Sequence, residues 1–450
     1  ASDVYKRQVL ASANYTWNDI YLVDASVRFD GSSEFGANQK WAPFFSGGVG
    51  VNIHNYDFFK SNSYINKLKL RASYGRTGKV NFPAYAATTM YETLFDEWYI
   101  TGYGAVLKAL GNKDLTWEKT DKLSFGLETK TLHDRLTIDF EYYYNKTIDL
   151  VNDVTLSQTS GFSTYKDNMG QVANKGVELK LRADIYRDRN WNVALWGNMA
   201  HNKNEILKIS DSQKAYNERV TAYYKNEALY QETLGLSHGA EYSVPLPQYE
   251  EGASLTSIWA VRSLGIDPTT GKEIFLNRDG SIADKWNAAQ EVVVGNTEPK
   301  CSGAFGLNLS YKNWTLFASF LYEWGGQEYN QTLVNNVENA DLVNKNVDLR
   351  VLTDRWKKPG DIAQFKDIKD RGMTTLPTSR FVQDKALVRL NSLNVSYDFN
   401  RDWIKKHLRM NLLRLEASTS DLINWSSIKQ ERGLSYPRSW KVEFSLKAQF

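Results

Sequence analysis

The stretch Trp440-Lys-Val-Glu-Phe-Ser-Leu-Lys-Ala-Gln-Phe450 decides the fold. Side chains on a β-strand alternate strictly between two faces. Trp440, Val442, Phe444, Leu446, Ala448 and Phe450 therefore share one face, and Lys441, Glu443, Ser445, Lys447 and Gln449 share the other. Such a strand needs apolar surroundings on one side and water on the other, which is the position of a lipid-facing barrel strand. An aromatic carboxy-terminus is also the usual end of an outer-membrane barrel, so Trp440, Phe444 and Phe450 read as a barrel-assembly signal. A strand of a soluble sandwich alternates in the same way. The reading therefore depends on whether the pattern recurs.

It recurs in thirteen segments: 9–17, 20–30, 42–53, 66–77, 120–130, 134–147, 171–186, 190–203, 300–311, 314–325, 383–400, 408–420 and 438–450. Leu68, Leu70, Ala72 and Tyr74 oppose Lys69, Arg71 and Ser73, and Val177, Leu179, Leu181 and Ala183 oppose Glu178, Lys180 and Arg182. Most segments reach the roughly ten residues that a tilted membrane strand requires, whereas soluble strands average about five or six. Near Arg389 the phase slips, because Val388 and Leu390 have one parity while Leu393, Val395 and Tyr397 have the other. A β-bulge would produce that slip.

The connections alternate in length. Asn18-Asp19, 54–65, 131–133, Arg187-Asp188-Arg189, Lys312-Asn313 and 401–407 are short, whereas 31–41, 78–119, 148–170, 204–299, 326–382 and 421–437 are long. Outer-membrane barrels have short periplasmic turns and longer extracellular loops, so the alternation assigns sides. A sandwich has no reason to keep such an asymmetry. Within 204–299, Ser210–Gln231 reads as a short surface helix, and Leu264–Leu276 as a tight hairpin turning at Pro268 and Gly271.

Composition agrees. Aromatics make up 13% of the 450 residues, yet mean hydropathy is −0.51 and no apolar run is long enough for a membrane helix. Wet barrel interiors with aromatic girdles combine these properties. The net charge of +3 is spread along the chain without a basic stripe, which argues against nucleic acid. The single cysteine, Cys301, excludes an internal disulfide. Residues 1–8 carry no basic segment followed by an apolar one, and a strand pattern begins at Val9, so the chain reads as starting inside a domain.

Six motifs then occur in order: Arg28-Phe-Asp-Gly-Ser-Ser-Glu-Phe35 with Trp41-Ala-Pro-Phe-Phe-Ser46; Leu68-Lys-Leu-Arg-Ala-Ser-Tyr-Gly-Arg-Thr-Gly78; Asn112-Lys-Asp-Leu-Thr-Trp-Glu-Lys119; Asn174-Lys-Gly-Val-Glu178; Arg355-Trp-Lys-Lys-Pro-Gly-Asp361; and Val388-Arg-Leu-Asn-Ser-Leu393. In these the chain resembles the SusC/RagA type of TonB-linked outer-membrane protein from Val9 onward. The resemblance implies an all-β, antiparallel transmembrane barrel of about 22 strands filled by a plug. Residues 9–450 would supply about thirteen of those strands, with 1–8 unassigned and the plug and TonB box outside the chain. It implies import of glycans, oligosaccharides or peptides through the outer membrane. A SusD-like surface lipoprotein and the TonB complex would be the partners. The alternative is a secreted or surface β-rich glycan-binding or adhesive protein without transport.

No catalytic constellation emerges. The five histidines are scattered without metal spacing, no G-x-S-x-G elbow exists, and Cys301 has no neighbouring base. No cofactor is expected. Asp279, Ser281 and Asp284 offer too few carboxylates for a calcium loop. Substrate or partner contact is expected instead from the aromatics of the long loops. These are Tyr85, Tyr91, Trp98, Tyr99 and Tyr103 in 78–119, and Tyr223, Tyr224, Tyr242 and Trp259 in 204–299. Aromatic faces can stack on sugar rings, and they also serve to pack loops or meet a protein partner. Trp117 and Trp440 read as interfacial anchors.

Overall fold

The computed structural model describes residues 5–450 apart from 36–39, 61–63, 81–86, 101, 113–114, 156–163, 169, 212, 216, 219–244, 246–247, 345, 373–374, 400 and 430–439. Thirteen long strands follow one another in chain order: Lys6–Trp17 (β1), Tyr21–Ser32 (β2), Trp41–Asn52 (β3), Ile65–Lys79 (β4), Glu118–Thr131 (β5), Leu136–Ile148 (β6), Gln171–Arg187 (β7), Trp191–Lys208 (β8), Cys301–Tyr311 (β9), Trp314–Tyr329 (β10), Val382–Asp398 (β11), Leu412–Ser420 (β12) and Lys441–Gln449 (β13). With the short strand Asn424–Ser426 on β11 they form one 14-stranded sheet, each strand antiparallel to the next. β1 and β13 are its two edges.

Register brings the oily positions of successive strands side by side. Trp17, Tyr21, Val51, Leu70, Leu127, Phe140, Leu179 and Met199 form one lateral row from β1 to β8. Val193, Leu309, Leu316, Val395, Ala417 and Phe444 form another from β8 to β13. Large side chains on this face are left exposed, among them Val49, Leu70, Phe125, Phe140, Leu195 and Phe305, and Phe444 is 75% exposed. The other face binds to itself. The Ser26 and Ser46 hydroxyls lie 2.7 Å apart, those of Ser73 and Ser124 2.9 Å apart, and Arg71 donates to Glu141 at 2.7 Å. A protein surrounded by water would bury the first face and leave the second in solvent. This sheet does the reverse, as a membrane wall must.

At the short-turn end the oily face closes with paired aromatics. Trp17 stacks on Tyr21 at 5.5 Å, and Trp191 meets Tyr311 at 4.2 Å and Trp314 meets Tyr397 at 4.8 Å between ring centroids. Amphipathic rings at one level form an interfacial girdle. The β1–β2 turn is made by Asn18 and Asp19 with φ of 51° and 57°, a left-handed conformation these two residue types tolerate.

All thirteen sequence segments correspond to strands of the wall. The slip near Arg389 is a bulge: Ser319 pairs with Ser392 and Phe320 with Leu390, leaving Asn391 unpaired. Two short connections are more than turns. Residues 401–407 fall in a helix, Arg401–Leu408, which delays β12 to Leu412, and 54–65 holds the helical turns Ile53–Asn55 and Asp57–Lys60.

Candidate functional site on the long loops

Among the described residues, the buried apolar clusters lie in the long loops and the strand ends beside them. A two-stranded hairpin, Met90–Tyr99 with Gly102–Ala109, rises from 78–119, and Val151–Thr155 pairs with Thr164–Asn168 in 148–170. Asn112 and Thr116 are tied to the latter hairpin. Asn112 donates to the Lys166 carbonyl at 3.0 Å, and Asn168 donates to the carbonyls of Thr116 at 3.1 Å and Asp149 at 2.8 Å. Beneath them Trp117 stacks on Phe35 at 4.2 Å and meets Phe44 edge-on at 5.6 Å. Trp117 is thus 5% exposed within a loop core, which corrects its reading as an interfacial anchor. Trp440, by contrast, stands exposed beside β13, as Phe450 does at its other end.

The second half of the loops forms one unit. The hairpin Arg262–Ile266 with Glu273–Leu276 turns at Gly271, φ +73°, and Ile282–Ala283 adds a third strand. Segment 326–382 wraps it: Ser263 N–H donates to Ser379 Oγ at 2.9 Å, and the Trp286 and Trp356 indoles donate to the carbonyls of Pro377 and Pro268, each at 2.9 Å. Leu333, Val334, Val337, Val351, Phe365 and Phe381 pack as its core. Arg380 joins the two loops through Glu273 at 2.9 Å and Glu338 at 2.7 Å. Burial pulls its guanidinium pKa down, but the two carboxylates more than offset this and hold it charged. Arg355, also buried, donates to the Val351, Lys366 and Glu338 carbonyls. Arg350 at 3.0 Å, with Lys429 at 2.7 Å, holds the Asp348 carboxyl well below the usual range.

One carboxyl is displaced upward. Glu291 is buried, which raises its pKa to about 7 although Gln248 donates to it and Arg278 lies near. Arg278 Nε donates to the Glu291 carbonyl at 3.0 Å, so Glu291 joins Gln248 to the hairpin unit. Asp279 accepts the Ser281 N–H and hydroxyl in a turn. Among the described residues no group of His, Cys, Asp and Glu converges as a metal site.

The loop aromatics separate into two sets. Tyr91 and Tyr103 are 69% and 61% exposed on the rising hairpin, where Phe95 also packs edge-on against Tyr103 at 5.5 Å. Trp98 and Tyr99 lie on the same hairpin, opposite Tyr103 and Gly102. Trp259 is 3% exposed in the short strand Ser257–Ala260, so it packs the loops and presents no face to solvent. Tyr85, Tyr223, Tyr224 and Tyr242 lie outside the described residues. Of 210–231, the described residues 211, 213–215 and 217–218 are helical. Sequence reading missed the Arg380 and Arg355 centres, because charged residues in polar loops give no signal of burial.

A strand wall with an apolar outer face, short turns at one end and folded loops at the other defines an outer-membrane barrel. The RagAB peptide transporter structure superposes with a TM-score of 0.80 at 23% identity, over 99% of this chain and 48% of that one. Residues 2–412 match the family model "TonB dependent receptor-like, beta-barrel", and the chain belongs to that family. TonB-dependent receptor P3 of Formosa agariphila is 28% identical over 429 residues, covering 93% of this chain and 41% of the relative. TonB-dependent receptor SusC of Bacteroides thetaiotaomicron is 31% identical over 208 residues, 44% of this chain and 20% of the relative. These likenesses bear out the SusC/RagA resemblance and the outer-membrane location. The family is one of transporters rather than enzymes. The chain spans about half or less of the length of these relatives.

Proposed function

We propose that this chain forms the wall and outer mouth of a TonB-dependent importer that moves glycans, oligosaccharides or peptides across the outer membrane. The observation that carries the reading is the pairing of a continuous lipid-type face with loops folded into a structured mouth. The exposed apolar face stands against a secreted adhesive protein, which would leave it in water. Energy would come from the TonB complex, and a SusD-like lipoprotein would cover the mouth. Among the named aromatics, the hairpin carrying Tyr91, Trp98, Tyr99 and Tyr103 suits either sugar stacking or that lipoprotein, since Tyr91 and Tyr103 stand exposed on it. The test uses the complete transporter with Tyr91→Ala and Tyr103→Ala. Uptake of a labelled oligosaccharide and co-purification of the lipoprotein are measured together. Loss of uptake with the lipoprotein retained supports substrate contact, and loss of both supports the partner. Unchanged values for both would remove the hairpin from the mechanism.

A further inference from the structure

The inner face of the wall is divided by charge. On β7 the inward side chains include Glu178, Lys180, Arg182 and Asp184, and register sets them opposite Ala200, Asn198, Trp196 and Ala194 of β8. On β12 Arg414 and Glu416 are inward, opposite Asp398 and Ser396 of β11. Between these two charged strands lies a panel without charge. The inward positions 192–202 of β8, 302–310 of β9, 315–321 of β10 and 392–396 of β11 carry alanine, glycine, serine, threonine and asparagine, with Trp196, Phe317 and Leu321 as the large side chains. Four strands at a spacing of about 4.8 Å make the panel about 19 Å wide.

Two rings stand on it together. Gly306 lies between Trp196 and Ser319 in register, and a Cβ at Gly306 would fall 2.6 Å from the Trp196 indole. The missing side chain lets the indole lie across β9. The ring centroids of Trp196 and Phe317 are 6.2 Å apart, and their planes are parallel within 11°. Both side chains are half-buried. Parity keeps the pair off the lipid face, where Phe305 stacks on Phe320 at 5.2 Å instead. Asn308 is paired with Phe317 in register and brings an amide to the rings. The charges at the borders of the panel are held by partners. Arg182, opposite Trp196, lies 3.3 Å from Asp184, and Glu416 accepts from Asn394.

This chemistry fits one class of ligand. A charged chain passing here would shed water without meeting a counter-charge. A sugar ring has an apolar face for an aromatic ring and hydroxyls for neighbouring amides and hydroxyls. We propose that the β8–β11 panel is an inner track for an uncharged oligosaccharide, with Trp196 and Phe317 as its stacking platform and Asn308 as a hydroxyl partner. The proposal rests on the importer reading and narrows it to a neutral glycan. The track lies on the wall and not on the loop hairpin, so capture at the mouth and passage along the wall are separable.

The test uses the complete receptor in cells, given labelled maltoheptaose, xylohexaose and laminarihexaose as neutral chains, oligogalacturonate as an acidic chain, and a mixed peptide pool. The wild type should take up at least one neutral oligosaccharide. W196A/F317A should slow that uptake by about tenfold while leaving capture at the surface of energy-depleted cells unchanged. Trp196→Phe should retain most of the rate, and Leu195→Ala on the outer face should have no effect. Phe317→Leu, which removes the ring but keeps an apolar side chain, should give a smaller loss of the same sign and serves if the double variant fails to assemble. Uptake confined to oligogalacturonate or peptide would overturn the proposal and leave the importer reading standing, whereas uptake of none of the probes would remove both. Unchanged neutral uptake in W196A/F317A and Phe317→Leu would also overturn it. So would loss of uptake accompanied by new sensitivity to vancomycin, which would show that the rings seat the plug.

Discussion

Arg380 lies between Glu273 and Glu338 with its side chain only 11% exposed. Removing one partner of a buried ion pair leaves the others uncompensated, at a cost of about 3–5 kcal/mol. Arg380→Gln should therefore loosen the unit formed by 204–299 and 326–382 while leaving the wall intact. Limited proteolysis in the complete protein should show cleavage in those loops first, and an unchanged digestion pattern would contradict the clamp. Glu291 gives a pH dependence of definite sign. Its pKa is raised from the ordinary 4.5 to about 7, so the folded state holds a proton that the unfolded chain has released. Stability then falls as pH rises from about 4.5 to about 7 and levels off above that. Glu291→Gln should abolish this component, seen by hydrogen exchange at 288–296. A slope unchanged by the substitution would place the titration elsewhere. Neither residue was legible in the sequence, because what matters in both is burial by segments far away in the chain.

The strands of the wall were legible because each must present one face to lipid and one to the lumen, so alternation is imposed along its whole length. The bulge at Asn391 was visible for the same reason, as a break in phase. The hairpins Met90–Tyr99 with Gly102–Ala109 and Val151–Thr155 with Thr164–Asn168 were not legible. They are short or irregular and owe their place to contacts such as that of Asn168 with Thr116, which a local pattern does not encode. The helix Arg401–Leu408 was hidden by its brevity, since eight residues give little more than two turns of periodicity. Alternation also makes a prediction for β13. Phe444→Arg should cost about 2–4 kcal/mol near the midplane, whereas Glu443→Gln on the other face should be tolerated. Heat-modifiability of the complete protein separates the two, and equal tolerance would remove Phe444 from the lipid face.

The whole molecule is two-sided: paired aromatics and short turns at one end, folded loops at the other. In the complete receptor, Thr269→Cys in the loop hairpin should react with an impermeant thiol reagent on intact cells, and Arg189→Cys in a short turn should not. The opposite result would invert the topology. The sheet also has two edges, β1 and β13, whose outward backbone groups pair with nothing among the described residues. In lipid each such group costs several kcal/mol, so residues 1–450 expressed alone should aggregate or be degraded. Heat-modifiable protein in the outer membrane would count against this.

The central claim is that one face of the wall meets lipid and the other does not. The most direct measurement is nitroxide scanning of residues 179–182 of β7 in the reconstituted complete receptor, on a Cys301→Ser background. Oxygen collision rates should be high at Leu179 and Leu181 and low at Lys180 and Arg182, following the period of the strand. Equal rates at all four positions, or the reverse alternation, would contradict the account.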